Sequence, residues 1–361
     1  MKAAVLREVG KPLVIEDVQV DKPGPREVLI KTSAVGVCHS DYHFITGDYP
    51  ARLPMVLGHE SAGIVEQVGD LVSYVKPGDH VITCLSVFCG HCEHCLTGNM
   101  ARCSNNETRR RREEPSRLSQ EGKPMMQFAN LGSFAEQMLV HEHALVKIRE
   151  DMPMDRAAVI GCAVITGVGS IFHTAKVEPG TNVAVIGCGG IGLSCINGAN
   201  IAGAGRIIAI DTVASKLEMA KEFGATDVIN ASDNDAVKAV QELTSGGVHY
   251  SFEAIGLKVT AEQAFNMLMP GGTATIIGMI PFGQNIELPG FSFLQEKRIQ
   301  GSSMGSNRFR IDMPRLIDFY LRGKLHLDEL ISKRVKLEQV NEAFKDMMEG
   351  NVARSVIVLN E

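Results

Sequence analysis

Tryptophan is absent from the sequence and aromatic residues make up only 5% of it. A pocket formed by such a chain is expected to be apolar and not narrow. No unbroken apolar stretch is long enough for a bilayer: the longest run, 157–172, carries Gly161, Gly167 and Gly169. It falls short of the roughly 20 residues a spanning helix needs and reads as a buried segment. Positive charge is not massed anywhere, since 36 Lys and Arg face 42 Asp and Glu, a net charge of -6. This argues against nucleic-acid and membrane-surface partners, both of which need concentrated basic patches. The one basic run, Arg109 to Arg112, is followed by Glu113 and Glu114 and reads as solvated loop. The start, MKAAVLREVG, has no apolar core for a signal peptide, so the chain is expected to stay in the cytoplasm.

Cysteine, by contrast, is plentiful: the chain has nine. In a reducing compartment they are not expected to form disulfides, so metal ligation or burial must account for most of them. With 361 residues, 45% of them hydrophobic, there is material for one large or two ordinary cores.

The pattern changes along the chain. Up to about Val140 it consists of short β-type runs (AAVL, VLIKTSAVGV, SAGIVEQVG, HVITCLSV) cut by Pro and Gly turns, an all-β, barrel-like pattern. From about Thr181 strands alternate with helices: NVAVIG, RIIAID, SKLEMAKEFGA, DVIN, VKAVQELTSG, HYSFEAIG. That alternation implies a doubly wound parallel sheet, hence an α/β chain. The end of the chain, PRLIDFYLRGKL and LEQVNEAFKDMMEG before the strand SVIVLN, is helical again.

Two local motifs carry chemistry. GCGGIG, with Gly187, Gly189, Gly190 and Gly192, follows the strand NVAVI and opens a helix, the context that dinucleotide binding requires. Asp211 ends the next strand, where a carboxylate can accept both ribose hydroxyls and would repel a 2'-phosphate; NAD is expected over NADP. The second motif spaces Cys89, Cys92, Cys95 and Cys103 as C-x2-C-x2-C-x7-C. Four thiolates can close a tetrahedron around zinc and leave no position for substrate. An iron–sulfur cluster is the competing occupant, and His91 and His94 read as exposed loop residues. Cys38 in GVCHSDYH, His59 in LGHESAG and Cys162 in VIGCAVITG are unexplained locally. If they converge they give zinc one open position; on spacing alone, three buried structural residues is an equally good reading.

The order GVCHSDYH, GHESAGIVEQVG, four-cysteine lobe, then Cys162 before the GxGGxG strand and helix resembles the zinc-dependent medium-chain alcohol dehydrogenases, of the long-loop, two-zinc type, over essentially the whole chain. The resemblance implies a GroES-like β-barrel catalytic domain from residues 1–163 and 304–361, a Rossmann NAD-binding domain from 164–303, and an active site in the cleft between them. It implies that Cys38, His59 and Cys162 hold a catalytic zinc, that Glu60 can coordinate it transiently, and that Asp41 orients the ligand histidine. The four-cysteine lobe corresponds to a structural zinc. Thr166 and Ile191 match residues packing on the nicotinamide, Met304 one that binds its carboxamide, Arg354 a pyrophosphate ligand, and Lys216 a lysine near the adenosine ribose. His39 stands where some relatives carry an arginine that meets the pyrophosphate. Tyr49 and Leu85 match pocket positions.

The function this implies is reversible hydride transfer between a medium-chain, branched or aromatic alcohol and NAD, with two zinc ions per chain. Ser40 would take the alcohol's proton, and His43 would pass it to solvent through the ribose. Taken without the resemblance, the alternative reading of His43 is a solvated loop imidazole. Two alternatives stand beside this. Thiol-adduct, formaldehyde-type dehydrogenases usually carry Tyr at the position of His43, while IQGSSMGS and LDELI are similar to a bacterial subgroup, the nicotinoproteins, that retains its coenzyme tightly. A non-catalytic NAD or redox sensor would be expected to have lost part of the set Cys38, Ser40, His59, Glu60, Cys162 and Asp211, which is complete here. The expected partners are a small alcohol or aldehyde and a second copy of the chain, a dimer in preference to a tetramer.

Overall fold

The computed structural model describes residues 1–111, 113–350 and 352–359; Arg112, the last of the arginine run, lies outside the described residues. Two compact units emerge. One comprises Met1–Cys162, Arg308–Tyr320 and Leu327–Glu361, the other Ala163–Asn307 and Leu321–His326.

The first unit is built on the strand Glu27–Gly36, which pairs antiparallel with Glu60–Val68, Gln137–His141 and Ser355–Val358. All but one of its ten residues are buried, so VLIKTSAVGV reads as a continuous apolar run instead of alternating in and out. Ser355–Val358 lies more than 300 residues further along the chain, so this sheet joins strands from widely separated parts of the sequence. A second sheet in the same unit runs through Lys2–Leu6, Met55–Val56 and Lys123–Gln127. Between such surfaces sits a core that includes Val35, Val37, Leu57, Phe134, Phe344 and Ile357.

The arginine run corrects the sequence reading at Arg110, which is not solvated. Its guanidinium donates to both oxygens of Glu27 (3.1 and 3.0 Å), pairs with Asp21, and reaches the carbonyls of Lys22 and Pro115. Arg117, 7% exposed, donates to the same Glu27 at 2.6 Å and to the Thr108 carbonyl at 2.9 Å. Burial works against a charge on Glu27, but the two guanidiniums overcome it and hold the carboxyl at about 2. Arg109 and Arg111 are exposed and line, with Arg26, a cavity of about 460 Å3 under the loop.

The second unit carries a parallel sheet in the order Asp227–Asn230, Arg206–Asp211, Asn182–Ile186, Val248–Glu253, Leu268–Ile276, Arg298–Gly301. The chain starts in the middle, builds outwards on one side, then returns to build the other. Strand order therefore reverses between Asn182–Ile186 and Val248–Glu253, where doubly wound sheets open a crevice at the carboxyl ends of their strands. The fold class expected from the sequence, a β-barrel-like unit and a doubly wound α/β unit, is what the structure has.

The apolar run around 157–172 belongs to a longer helix, Met154–Ala175, whose 22 residues are long and apolar enough to cross a membrane. Its most apolar window is 83% buried within the fold, as a core helix would be. Within it, Ile160–Val164 widens into a π turn that carries Cys162; such turns often mark functional sites.

Candidate functional site

Three residues from distant parts of the first unit converge. Cys38 immediately precedes the helix His39–Thr46, at its N-cap position. His59 follows Gly58, whose φ of +90° suits glycine and whose Cβ, if present, would lie 2.6 Å from the Phe134 nitrogen. Cys162 comes from the π turn. The ligand atoms of the three lie within 4.8 Å of one another and all three residues are buried, with His59 Nε2 3.2 Å from Cys162 Sγ.

Asp41 sets the histidine. It is fully buried, its Oδ1 accepts from the Gly58 N–H at 2.8 Å, and its two oxygens lie 3.3 and 3.2 Å from His59 Nδ1. A carboxylate can only accept here, so Nδ1 carries the hydrogen and Nε2 turns its lone pair towards the cysteines. Burial holds the Asp41 carboxyl above its usual range despite His59. Burial opposes charge on His59 as well, but Asp41 and Cys38 outweigh it and raise the imidazole. Cys162 donates towards Cys38, which lowers the Cys38 thiol and leaves Cys162 well above the ordinary thiol range. The Phe128 ring closes one side, edge-on to His59 at 5.3 Å.

This donor set fits zinc. Bonds of about 2.3 Å to sulfur and about 2.0 Å to nitrogen, at tetrahedral angles, set ligand atoms roughly 3.5–3.8 Å apart. Two thiolates and an imidazole are soft and borderline ligands suited to that metal, and three of them leave one position open. Glu60 is next to the site, fully buried, with Arg354 Nη1 3.6 Å from its Oε2. Gly36 makes room for it, since a Cβ there would meet the Glu60 carboxyl carbon at 2.6 Å. Arg354 is itself buried and donates to the Val37 carbonyl at 2.9 Å. The structure thus puts Arg354 against Glu60.

The four cysteines of the lobe also gather, within 4.8 Å. Sulfur pairs stand at 3.4 Å (Cys92 and Cys95), 3.8 Å (Cys89 and Cys95) and 3.9 Å (Cys92 and Cys103), against about 3.8 Å for a zinc tetrahedron. Backbone N–H groups of Cys89 and Cys92 donate to Cys103 and Cys89 sulfur, as they do around bound thiolates. All nine cysteines are free of disulfides, and His91 and His94 are exposed. These two groups are the metal-binding constellations among the described residues.

The proton-handling residues lie on the Cys38 helix. Ser40 Oγ is 3.6 Å from Cys38 Sγ. His43 Nδ1 is 3.0 Å from Asp48, which also accepts from Thr46 Oγ1 at 2.7 Å. Gly47, at φ +87°, turns the chain so that Asp48 comes back to His43. Asp48 was not legible in the sequence, because an acid five residues from a histidine carries no signal of its own. The exposed His39 ring is 5.2 Å from that of His43, and Tyr49 is 5.8 Å from it. Leu85 is half-buried against the Val81 and Val140 cluster.

In the second unit the glycines have separable reasons. Gly187 has φ +94°, and a Cβ on Gly192 would collide with the Gly187 carbonyl at 1.7 Å. Gly189 faces nothing within 4 Å, and its φ of −83° would suit any residue. Its missing side chain leaves space for a ligand, directly before the helix Gly190–Ile201 whose N-terminus favours a pyrophosphate. The Asp211 carboxylate accepts from Cys188 N at 2.8 Å on one oxygen and from Thr212 N and Val213 N on the other, so it borders that loop. Lys216 is half-buried on the following helix, Ala214–Glu222, and Ile191 half-buried in the first turn of Gly190–Ile201. Thr166 Oγ1 is 3.4 Å from Met304 Sδ. Met304, Gly305 and Ser306 all have left-handed φ, a costly conformation for the two non-glycines that fixes where their backbone groups point.

Two family models match the sequence: "Alcohol dehydrogenase GroES-like domain" over residues 24–150 and "Zinc-binding dehydrogenase" over 190–322. The chain is 38% identical over 369 aligned positions to an alcohol dehydrogenase class-3 of Zea mays, covering 99% of this chain and 96% of that protein. It is 40% identical to an S-(hydroxymethyl)glutathione dehydrogenase of Synechocystis, covering 99% of each. Among solved structures, benzyl alcohol dehydrogenase from Acinetobacter calcoaceticus superposes with a TM-score of 0.94 at 33% identity, covering 99% of each chain.

Proposed function

The chain belongs to the zinc-dependent medium-chain alcohol dehydrogenases, and we propose that it transfers hydride reversibly between a medium-chain, branched or aromatic alcohol and NAD. The observation that carries this reading is the buried Cys38, His59 and Cys162 set, whose three ligand atoms lie within 4.8 Å of one another and would hold zinc with fewer protein ligands than a closed structural site. Zinc held there supplies Lewis acidity, of the kind that lowers the pKa of bound water from 15.7 to about 7–9. NAD, held by the glycine loop and Asp211, supplies the hydride acceptor.

The chain's own residues do the rest. Asp41 keeps His59 in the tautomer whose Nε2 is the donor atom. Ser40, beside Cys38, takes the hydroxyl proton of the substrate, since a serine hydroxyl can accept one proton as it gives up its own. His43, on the same helix, would pass that proton on towards solvent, and Asp48 accepts from its Nδ1–H so that Nε2 would be the accepting nitrogen. Asp211 excludes a 2'-phosphate by charge, which supports NAD over NADP.

A second reading, oxidation of S-(hydroxymethyl)glutathione, is favoured by the relatives that bear that name. His43, where such enzymes usually carry Tyr, counts against it. A panel of benzyl, branched and linear alcohols with S-(hydroxymethyl)glutathione, each with NAD and NADP, separates the two. The first reading expects the highest kcat/KM on an aromatic or branched alcohol with NAD; a preference for the glutathione adduct of tenfold or more would replace it with the second.

A further inference from the structure

Glu253 is fully buried at the carboxyl end of the strand Val248–Glu253, which borders the crevice where the parallel sheet reverses its order. One oxygen, Oε1, accepts three hydrogen bonds: from Ile255 N at 2.9 Å, Gly256 N at 2.7 Å and Thr260 Oγ1 at 2.7 Å. Bonds to an ionised acceptor are about twice as strong as neutral ones. The other oxygen, Oε2, has no hydrogen-bond partner among the described residues. Gly278 leaves it room, for a Cβ there would stand 2.6 Å away. Burying a carboxylate is costly, so the turn it organises has to be worth holding.

That turn is wedged in place. The Ile255 side chain lies against the glycine loop, close enough that a Cβ on Gly187 would meet its Cγ1 at 2.6 Å. Gly256, at φ +96°, is pressed from the other side, where a Cβ would meet the Met279 carbonyl oxygen at 2.6 Å. Ala254 N donates to the Ile186 carbonyl at 2.9 Å, fixing the turn to the strand that leads into Gly187. Ile255 nevertheless stays 42% exposed, an apolar side chain presented at the mouth of the crevice beside the phosphate-binding turn.

We infer that Glu253 is a positioning residue for the coenzyme: its carboxylate holds the Ile255–Gly256 turn as the wall of the dinucleotide crevice that faces Gly187. The inference rests on the coenzyme reading of the glycine loop. In this role Glu253 touches no coenzyme atom and acts through the turn. Glutamine at the same place keeps an oxygen for the three donors, and alanine keeps none.

Calorimetric titration of NAD into the full chain, with amide hydrogen exchange on the same samples, tests this. Wild type binds NAD, Glu253→Ala binds it roughly tenfold more weakly or worse, and Glu253→Gln stays within about threefold. In Glu253→Ala the amides of Ile255 and Gly256 exchange faster, while Asn182–Ile186 stays protected. Should that variant fail to fold, Thr260→Val, which removes one donor of the three, carries the test with a roughly threefold loss and the same local acceleration. Wild-type affinity in the folded alanine variant, or in Thr260→Val, overturns the inference. So does a loss of affinity accompanied by faster exchange across the whole parallel sheet, which would make Glu253 a general core residue. A wild-type chain that binds no NAD overturns the coenzyme reading itself, whatever the variants do.

Discussion

Asp41 and His43 sit two residues apart on one short helix, yet they do different work because one is sealed from water and the other is not. Asp41, buried against His59 Nδ1, is the hydrogen-bond partner that makes the imidazole a good donor. Asp41→Asn keeps the shape and loses the charge, and should weaken zinc retention at that site by about 10–100-fold. Competition with a chelator measures it; unchanged retention would remove Asp41 from the site. His43 instead faces Asp48 at a partly exposed position. His43→Gln should lower kcat about tenfold or more; stopped-flow turnover checks this, and an unchanged kcat would take His43 out of the proton route. The sequence made these residues unequally visible. The cysteines of the lobe declare themselves by spacing, but Cys38, His59 and Cys162 are separated by long stretches of chain, and only the resemblance joined them. Asp48 carried no signal, because its pairing depends on the left-handed turn at Gly47.

At the scale of elements, the polar loop after the lobe is held by buried charge. Reading Arg109 to Arg112 as solvated failed at Arg110 because the acids that pair with it, Asp21 and Glu27, lie some ninety residues earlier and only the fold brings them together. The pairing has a pH signature. Glu27 is at about 2 in the folded chain against an ordinary 4.5. A carboxyl depressed on folding contributes stability that is fully present above 4.5 and lost as the pH falls towards 2. That component is roughly 2 kcal/mol after allowance for solvent screening. Urea midpoints for wild type should fall through this range, and those of Glu27→Gln, which start lower because two guanidiniums lose their acid, should fall less steeply. Parallel slopes would show that Glu27 does not carry the effect. The strands and helices themselves were legible, since period-2 and period-3.6 patterns and the glycine turn are local properties of the chain. The pairing of Ser355–Val358 with Glu27–Gly36 leaves no local trace across more than 300 residues, and only the resemblance joined the two ends of the chain in one unit.

For the whole molecule, the proposed chemistry is divided between two metal groups and one coenzyme loop. Asp211, whose carboxylate borders the glycine loop, is the proposed determinant of coenzyme choice. Asp211→Gly should reduce the preference for NAD over NADP by about tenfold or more, through a higher KM for NAD and a lower one for NADP. Steady-state kinetics with both coenzymes reads this directly, and an unaltered ratio would contradict it. The metal division is tested most directly by zinc analysis combined with NAD-linked alcohol oxidation on wild type, Cys38→Ala and Cys95→Ala. Two zinc ions per chain are expected in wild type. Cys38→Ala should lose one zinc and all measurable turnover while keeping its thermal midpoint nearly unchanged, whereas Cys95→Ala should lose stability first. Full turnover in Cys38→Ala, or a single zinc in the active wild type, would contradict it.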